Sequence, residues 1–154
     1  MKSFIIFLVT LLFSATVFSQ DCKDYWNQCG VTPAGVNYYS LIPESCFSNL
    51  LATDESFEVP IELIQSRDYR MSLGSTYAYK VHVKFLDKTT GVLVYDNTLN
   101  DTVQVFEFQM FDNRMVRAIV SLPHEHGKKV LGGLTEKPKR YCVGIKIESM
   151  ITRK

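Results

Sequence analysis

Residues 77–85 read YAYKVHVKF, and the alternation in this run decides the fold. Tyr77, Tyr79, Val81, Val83 and Phe85 fall on one side of an extended chain, while Lys80, His82 and Lys84 fall on the other. Successive side chains of a strand point to opposite faces, so a period of two marks a strand with one face in a core and one in water. The polar face makes His82 a solvated strand residue in this reading.

The same period recurs on both sides of this run. Upstream, Phe57, Val59, Ile61 and Leu63 alternate with Glu58, Pro60, Glu62 and Ile64. Pro60 has no N–H to give a ladder, which predicts an edge strand or a bulge. Tyr69, Met71 and Leu73 then alternate with Arg70 and Ser72 before a break at Gly74-Ser75. Downstream, Val92 to Tyr95 is a short apolar run, Asp96 to Asp101 (DNTLND) has the letters of a loop, and Val103 to Phe111 resumes the strand signal. Asp112-Asn113 predicts a hairpin turn into Met115 to Leu122, where Val116, Ala118, Val120 and Leu122 share a face. A Gly- and Lys-rich loop from Pro123 to Lys139 leads to a last run with Tyr141, Val143, Ile145 and Ile147 on one side. Seven to eight short strands at regular spacing predict an all-β fold, an antiparallel β-sandwich or jelly roll over residues 57–154.

The rest of the chain is organised around that body. Residues 1–19 have the three parts of a secretory signal peptide: Lys2, an apolar core from Phe4 to Phe13 (FIIFLVTLLF), and small residues before a cut. With Val17 and Ser19 at the minus-three and minus-one positions, the mature chain is expected to begin at Gln20. Thr10, Ser14 and Thr16 interrupt the apolar run, which argues against a membrane span of about 20 residues. Cys22 does not directly follow the cut, so the pattern for acylation fails. The leader implies an exported protein, whether periplasmic, outer-membrane-associated or secreted. About 135 residues then remain, enough to bury a core.

All four cysteines, Cys22, Cys29, Cys46 and Cys142, follow the cut, and an even number in an oxidising compartment predicts two disulfides. Zinc ligands come in closely spaced pairs, unlike these. Residues 20–56 read as a helical and loop segment packed on the body. Asp21 as N-cap, Asp24 in the first turn and Gly30 after the end predict a short helix from Cys22 to Cys29, with Cys22, Tyr25, Trp26 and Cys29 on one face. Such a helix rises about 10.5 Å, beyond the roughly 7 Å that a disulfide spans between Cα atoms. Cys22 and Cys29 are therefore each expected to pair with Cys46 or Cys142.

Charge narrows the function classes. Lys and Arg total 17 against 16 Asp and Glu, and removing Lys2 with the leader leaves a neutral chain. A nucleic-acid binder needs a cationic footprint, and only the short clusters at Lys137 to Arg140 and Arg153 to Lys154 are basic. No nucleophile-elbow, zincin or phosphate-loop motif occurs, so no enzyme activity and no cofactor are expected. Two metal candidates remain. His124 and His126 flank Glu125 on an extended segment, where alternate imidazoles point the same way. Asp96, Asn97, Asn100 and Asp101 offer hard oxygens for calcium within six residues, though not at EF-hand spacing. Asn100-Asp101-Thr102 is also a glycosylation sequon, which marks the loop as exposed. Tyr25, Trp26, Tyr38 and Tyr39 lie outside the clean strands and are candidate binding aromatics.

Four elements together resemble the pre-peptidase C-terminal type of secreted bacterial β-sandwich: Arg67 to Leu73 (RDYRMSL), Val94 to Asn97 (VYDN), Phe106 to Phe108 (FEF) and Arg117 to Pro123 (RAIVSLP). The resemblance covers under half the chain and implies a noncatalytic accessory module that serves binding or assembly. No enzyme is attached here, which departs from the usual context of such modules. The final strand and basic end, Tyr141 to Lys154, also resemble the sorting domains of type IX secretion without their fuller motif set. Taken with the leader, these readings lead to an exported sandwich that binds a protein partner at the envelope or outside the cell. The alternative is a carbohydrate-binding module, which would show a flat row of exposed aromatics.

Overall fold

A computed structural model of the chain describes residues 21–30, 39–53, 55–77, 80–123 and 139–152. Among them nine antiparallel strands form two packed sheets. In chain order they are β1 (Ser40–Leu41), β2 (Phe47–Leu51), β3 (Ser56–Leu63), β4 (Arg67–Ser75), β5 (His82–Asp87), β6 (Leu93–Asp96), β7 (Val105–Met110), β8 (Arg114–Ser121) and β9 (Tyr141–Ile151). The first sheet runs β1-β9-β4-β7, with β2 also on β9, and the second runs β3-β8-β5-β6.

The period-two faces meet between the sheets. Ile61, Leu63, Val83, Phe85, Val116, Ala118 and Val120 of one sheet pack against Tyr69, Met71, Leu73, Val143, Ile145 and Ile147 of the other, all of them buried. Burial of a side chain of this size is worth about 1.5–3 kcal/mol, so the alternation is the main source of stability. Tyr69 shows how a buried polar tip is satisfied: its hydroxyl accepts the Ile64 N–H at 2.8 Å. Pro60 lies on β3 at the margin of its sheet, exposed and opposite Arg117, where its missing N–H costs nothing.

Several expectations are corrected. The run that starts at Tyr77 becomes strand only from His82, because β8 pairs with β5 no further back than His82↔Ser121. Before that point side chains replace the ladder. Gln104 Oε1 accepts the Val81 N–H at 2.8 Å, and Asn97 Nδ2 and Gln104 Nε2 donate to the Val81 carbonyl at 3.0 and 2.9 Å. Asp112-Asn113 is not a hairpin turn, since β7 and β8 belong to different sheets. The segment is a crossover, tied to the neighbouring β3–β4 crossover by Asn113 Oδ1, which accepts the Gln65 N–H at 2.8 Å.

The N-terminal segment also differs. Residues 40–51, read as helix and loop, supply β1 and β2, which pair with β9. The predicted α-helix from Cys22 to Cys29 is a 3-10 turn over Tyr25–Gln28, and no α-helix occurs among the described residues. Asp24, expected in a first helical turn, has φ 59°. Three i→i+3 bonds, Tyr25 N to Cys22 O, Asn27 N to Asp24 O and Cys29 N to Trp26 O, wind the segment tightly. Two glycines let it lie flat on the sheet. A Cβ on Gly144 would stand 2.7 Å from Cys29 Sγ and 2.9 Å from Trp26 Cα, and one on Gly74 would stand 2.9 Å from the same sulfur.

Candidate functional site

The segment is fastened by a disulfide between Cys22 and Cys142, with Cα atoms 5.3 Å apart. The second bridge expected from the sequence is not formed: Cys29 and Cys46 are free, buried thiols. Their surroundings give the reason. Cys29 Sγ sits above Gly144 and Gly74, while Cys46 Sγ is turned to the backbone of β9, where it accepts the Ile147 N–H at 3.3 Å. Burial pushes the Cys29 thiol up to about 12 and raises that of Cys46 as well.

Of the four aromatics singled out by sequence, Tyr25, Trp26 and Tyr39 lie among the described residues. Tyr25 and Trp26 are half-buried in the 3-10 turn, and the Trp26 N–H donates to Ser48 Oγ at 2.7 Å. Tyr39 lies over Arg70, whose guanidinium carbon is 4.2 Å from the ring centroid. Arg70 in turn donates from Nε to Glu107 Oε1 at 2.8 Å. Tyr38 lies outside the described residues. Among the described aromatics Phe111 alone is exposed, so no flat sugar-stacking row occurs there.

The acidic loop has its leading side chains engaged. Asp96 Oδ1 accepts the Thr98 hydroxyl and N–H at 2.6 and 2.9 Å, and Lys84 Nζ is 3.3 Å from Oδ2. Burial pushes this carboxyl up, but Thr98 and Lys84 outweigh it and hold it below the ordinary value. Asn97 is fully buried. Its Oδ1 accepts the Val83 N–H at 2.9 Å, and its Nδ2 reaches the Val81 and Val103 carbonyls. Asn100 and Asp101 are exposed, and the Asp101 carbonyl accepts from Lys80 Nζ at 2.8 Å. These contacts tie the loop to β5. His124 and His126 lie outside the described residues, and among the described ones no group of three His, Cys, Asp or Glu could hold a metal. His82 is half-buried, and burial lowers its pKa.

An apolar concavity opens where the run from Val103 to Phe111, read from the sequence only as a strand, meets the other sheet. Strands β6 and β7 are the margins of their respective sheets, and their inner sides meet at one flank of the sandwich. There a cavity of about 490 Å3 is lined by Phe85 and Tyr95 from one sheet and by Phe106, Phe108 and Met110 from the other, with Leu63 and Val116 also bordering it. The rings touch in series: Phe85 to Tyr95 at 5.6 Å, Tyr95 to Phe106 at 4.7 Å, Phe106 to Phe108 at 6.2 Å and Phe108 to Tyr69 at 5.6 Å between centroids. Phe106, Phe108 and Met110 are only half-buried although they face inward. Around the mouth Val94 and Phe111 stand 45% and 77% exposed. A concave apolar site with a few polar groups at the rim, here Glu107, Asp112 and Arg114, has the character of a binding pocket. The Phe-x-Phe pattern was the signal that could have found it, but a strand beside an opening and one inside a sheet carry the same letters.

Compared with protein-family models, with curated proteins and with solved structures, the chain matches none. The resemblance to the pre-peptidase C-terminal type therefore extends to a generic two-sheet β-sandwich and no further. No helix among the described residues is long and apolar enough to cross a membrane.

Proposed function

We propose that this protein is a noncatalytic, exported binding module that holds a protein partner at the cell envelope or outside the cell through the open flank between β6 and β7. The observation that carries this reading is the aromatic cavity left between those two strands. A sandwich that served only as a spacer would gain by closing it, since half-buried Phe106, Phe108 and Met110 give up part of their transfer free energy. Exposed apolar side chains gathered round a concavity mark an interaction surface. The export leader and the disulfide support a partner met in an oxidising compartment.

The test is site-specific photo-crosslinking in the cells that make the protein. A benzophenone amino acid at Phe111, at the mouth, is expected to capture one discrete protein species. The same probe at Glu58, on the far margin of the second sheet, is expected to capture none. Equal labelling at both positions, or none at Phe111, would remove the open flank as the partner site.

A further inference from the structure

We infer that the partner enters as an extended strand paired to the free side of β7, with apolar side chains at every second position filling the cavity and a cationic side chain opposite Glu107. This rests on the reading proposed above and gives its mode of recognition.

The hydrogen-bond phase of β7 is the first support. The Leu73 N–H donates to the Gln104 carbonyl at 2.8 Å, on the same register that pairs Met71 with Phe106, Tyr69 with Phe108 and Arg67 with Met110. In an antiparallel ladder alternate residues turn both backbone groups to the same neighbour. Residues 104, 106, 108 and 110 therefore spend theirs on β4, and Val105, Glu107 and Gln109 aim N–H and C=O outward. Among the described residues no strand pairs with that side.

The second support is what this margin lacks. Sheets normally guard an exposed margin with proline, lysine, inward charge, a bulge or shortness. Strand β3 carries Pro60 between Glu58 and Glu62, and β6 has four residues and a register break on β5. Strand β7 has six residues, VFEFQM, an unbroken register on β4, and neither proline nor lysine. Its inward side chains border the cavity, so a strand added there places its own alternate side chains over the same apolar floor. The one charge of β7 selects the occupant. Glu107 gives Oε1 to Arg70 yet leaves its side chain 48% exposed, at the centre of the outward-facing row. A residue directly opposite shares that face, where a cation is favoured and a like charge is repelled. That repulsion also disfavours a second copy of β7 paired with Glu107 against Glu107.

The probe is a blocked synthetic peptide of about nine residues, with valine or phenylalanine at even positions, lysine at the centre and threonine elsewhere. Binding is expected to slow hydrogen exchange at the amides of Val105, Glu107 and Gln109. N-methylation of the central lysine and of the residues two on either side removes the bonds to β7 and should weaken binding about tenfold or more. N-methylation of the intervening residues should leave it within about twofold. A glutamate in place of the lysine should weaken binding to the native chain, and Glu107→Gln should erase that preference. Gln109→Pro removes an outward N–H without touching the β4 ladder, so the fold stays while the peptide is lost. Equal sensitivity to both methylation patterns, with crosslinking at Phe111 intact, overturns strand addition and leaves the open-flank reading standing. Concentration-dependent self-association abolished by Gln109→Pro overturns the partner strand in favour of a second copy.

Discussion

At the scale of single residues, two side chains set the local chemistry. Asn97 bonds three backbone groups from one amide: the buried Val83 N–H, the Val81 carbonyl that Gln104 also reaches, and the carbonyl of the more exposed Val103. A buried donor or acceptor left unpaired costs about 1–3 kcal/mol, so Asn97→Ala, which strips the Val83 N–H of this partner, should lower the unfolding free energy by about that much in a urea titration. Asp96 beside it gives the fold an acid limit. Its folded-state pKa lies below the ordinary 3.8, so the unfolded chain takes up the proton first as pH falls. The stability it contributes is complete above 3.8 and drains away as pH drops through the folded value. Urea midpoints measured from pH 5 downward should fall, and Asp96→Asn should flatten part of that slope. Cys29 supplies a third check. With its thiol buried and raised to about 12, it should resist an aromatic disulfide reagent at pH 8 until denaturant is added.

At the scale of elements, the 3-10 turn and the two glycines beneath it form one unit. Gly144→Val would drive a side chain into Cys29 Sγ and into the backbone of Trp26, which cannot yield as a flexible side chain does. We expect a loss of about 1–3 kcal/mol, the usual cost of overpacking. Trp26 is the only tryptophan of the chain, so displacement of the turn should appear as a red shift of its emission. A local pattern of caps and apolar spacing suggested an α-helix here. What the sequence could not convey is that Gly74 and Gly144 on distant strands come together as its bed, where Ser48 takes a backbone N–H for itself. Strands β1 and β2 escaped notice for a simpler reason. At two and five residues they are too short to show a period, and β2 has only Phe47 and Leu51 facing the core.

At the scale of the whole molecule, the Cys22–Cys142 bond joins the start of the described chain to the first half of β9 across 120 residues. In the chain-entropy model a loop of that order is worth about 4–5 kcal/mol, so the Cys22→Ser variant should lose up to that much in thermal unfolding, and reductant should add little further. For the exported reading, mass spectrometry of the mature protein should find Gln20 first, and intact Met1 would overturn it. The alternation along residues 57–64, 69–73, 81–85, 116–122 and 141–147 is a local property, because each strand must turn one face from water whatever its neighbour. From it alone came the all-β class, the antiparallel sandwich and most of the core. Which strands end beside one another depends on pairings up to a hundred residues apart, and no local pattern encodes them. Only the tertiary structure decided that β6 and β7 are the margins that face each other, and so that Phe106 and Phe108, written like core residues, line an opening.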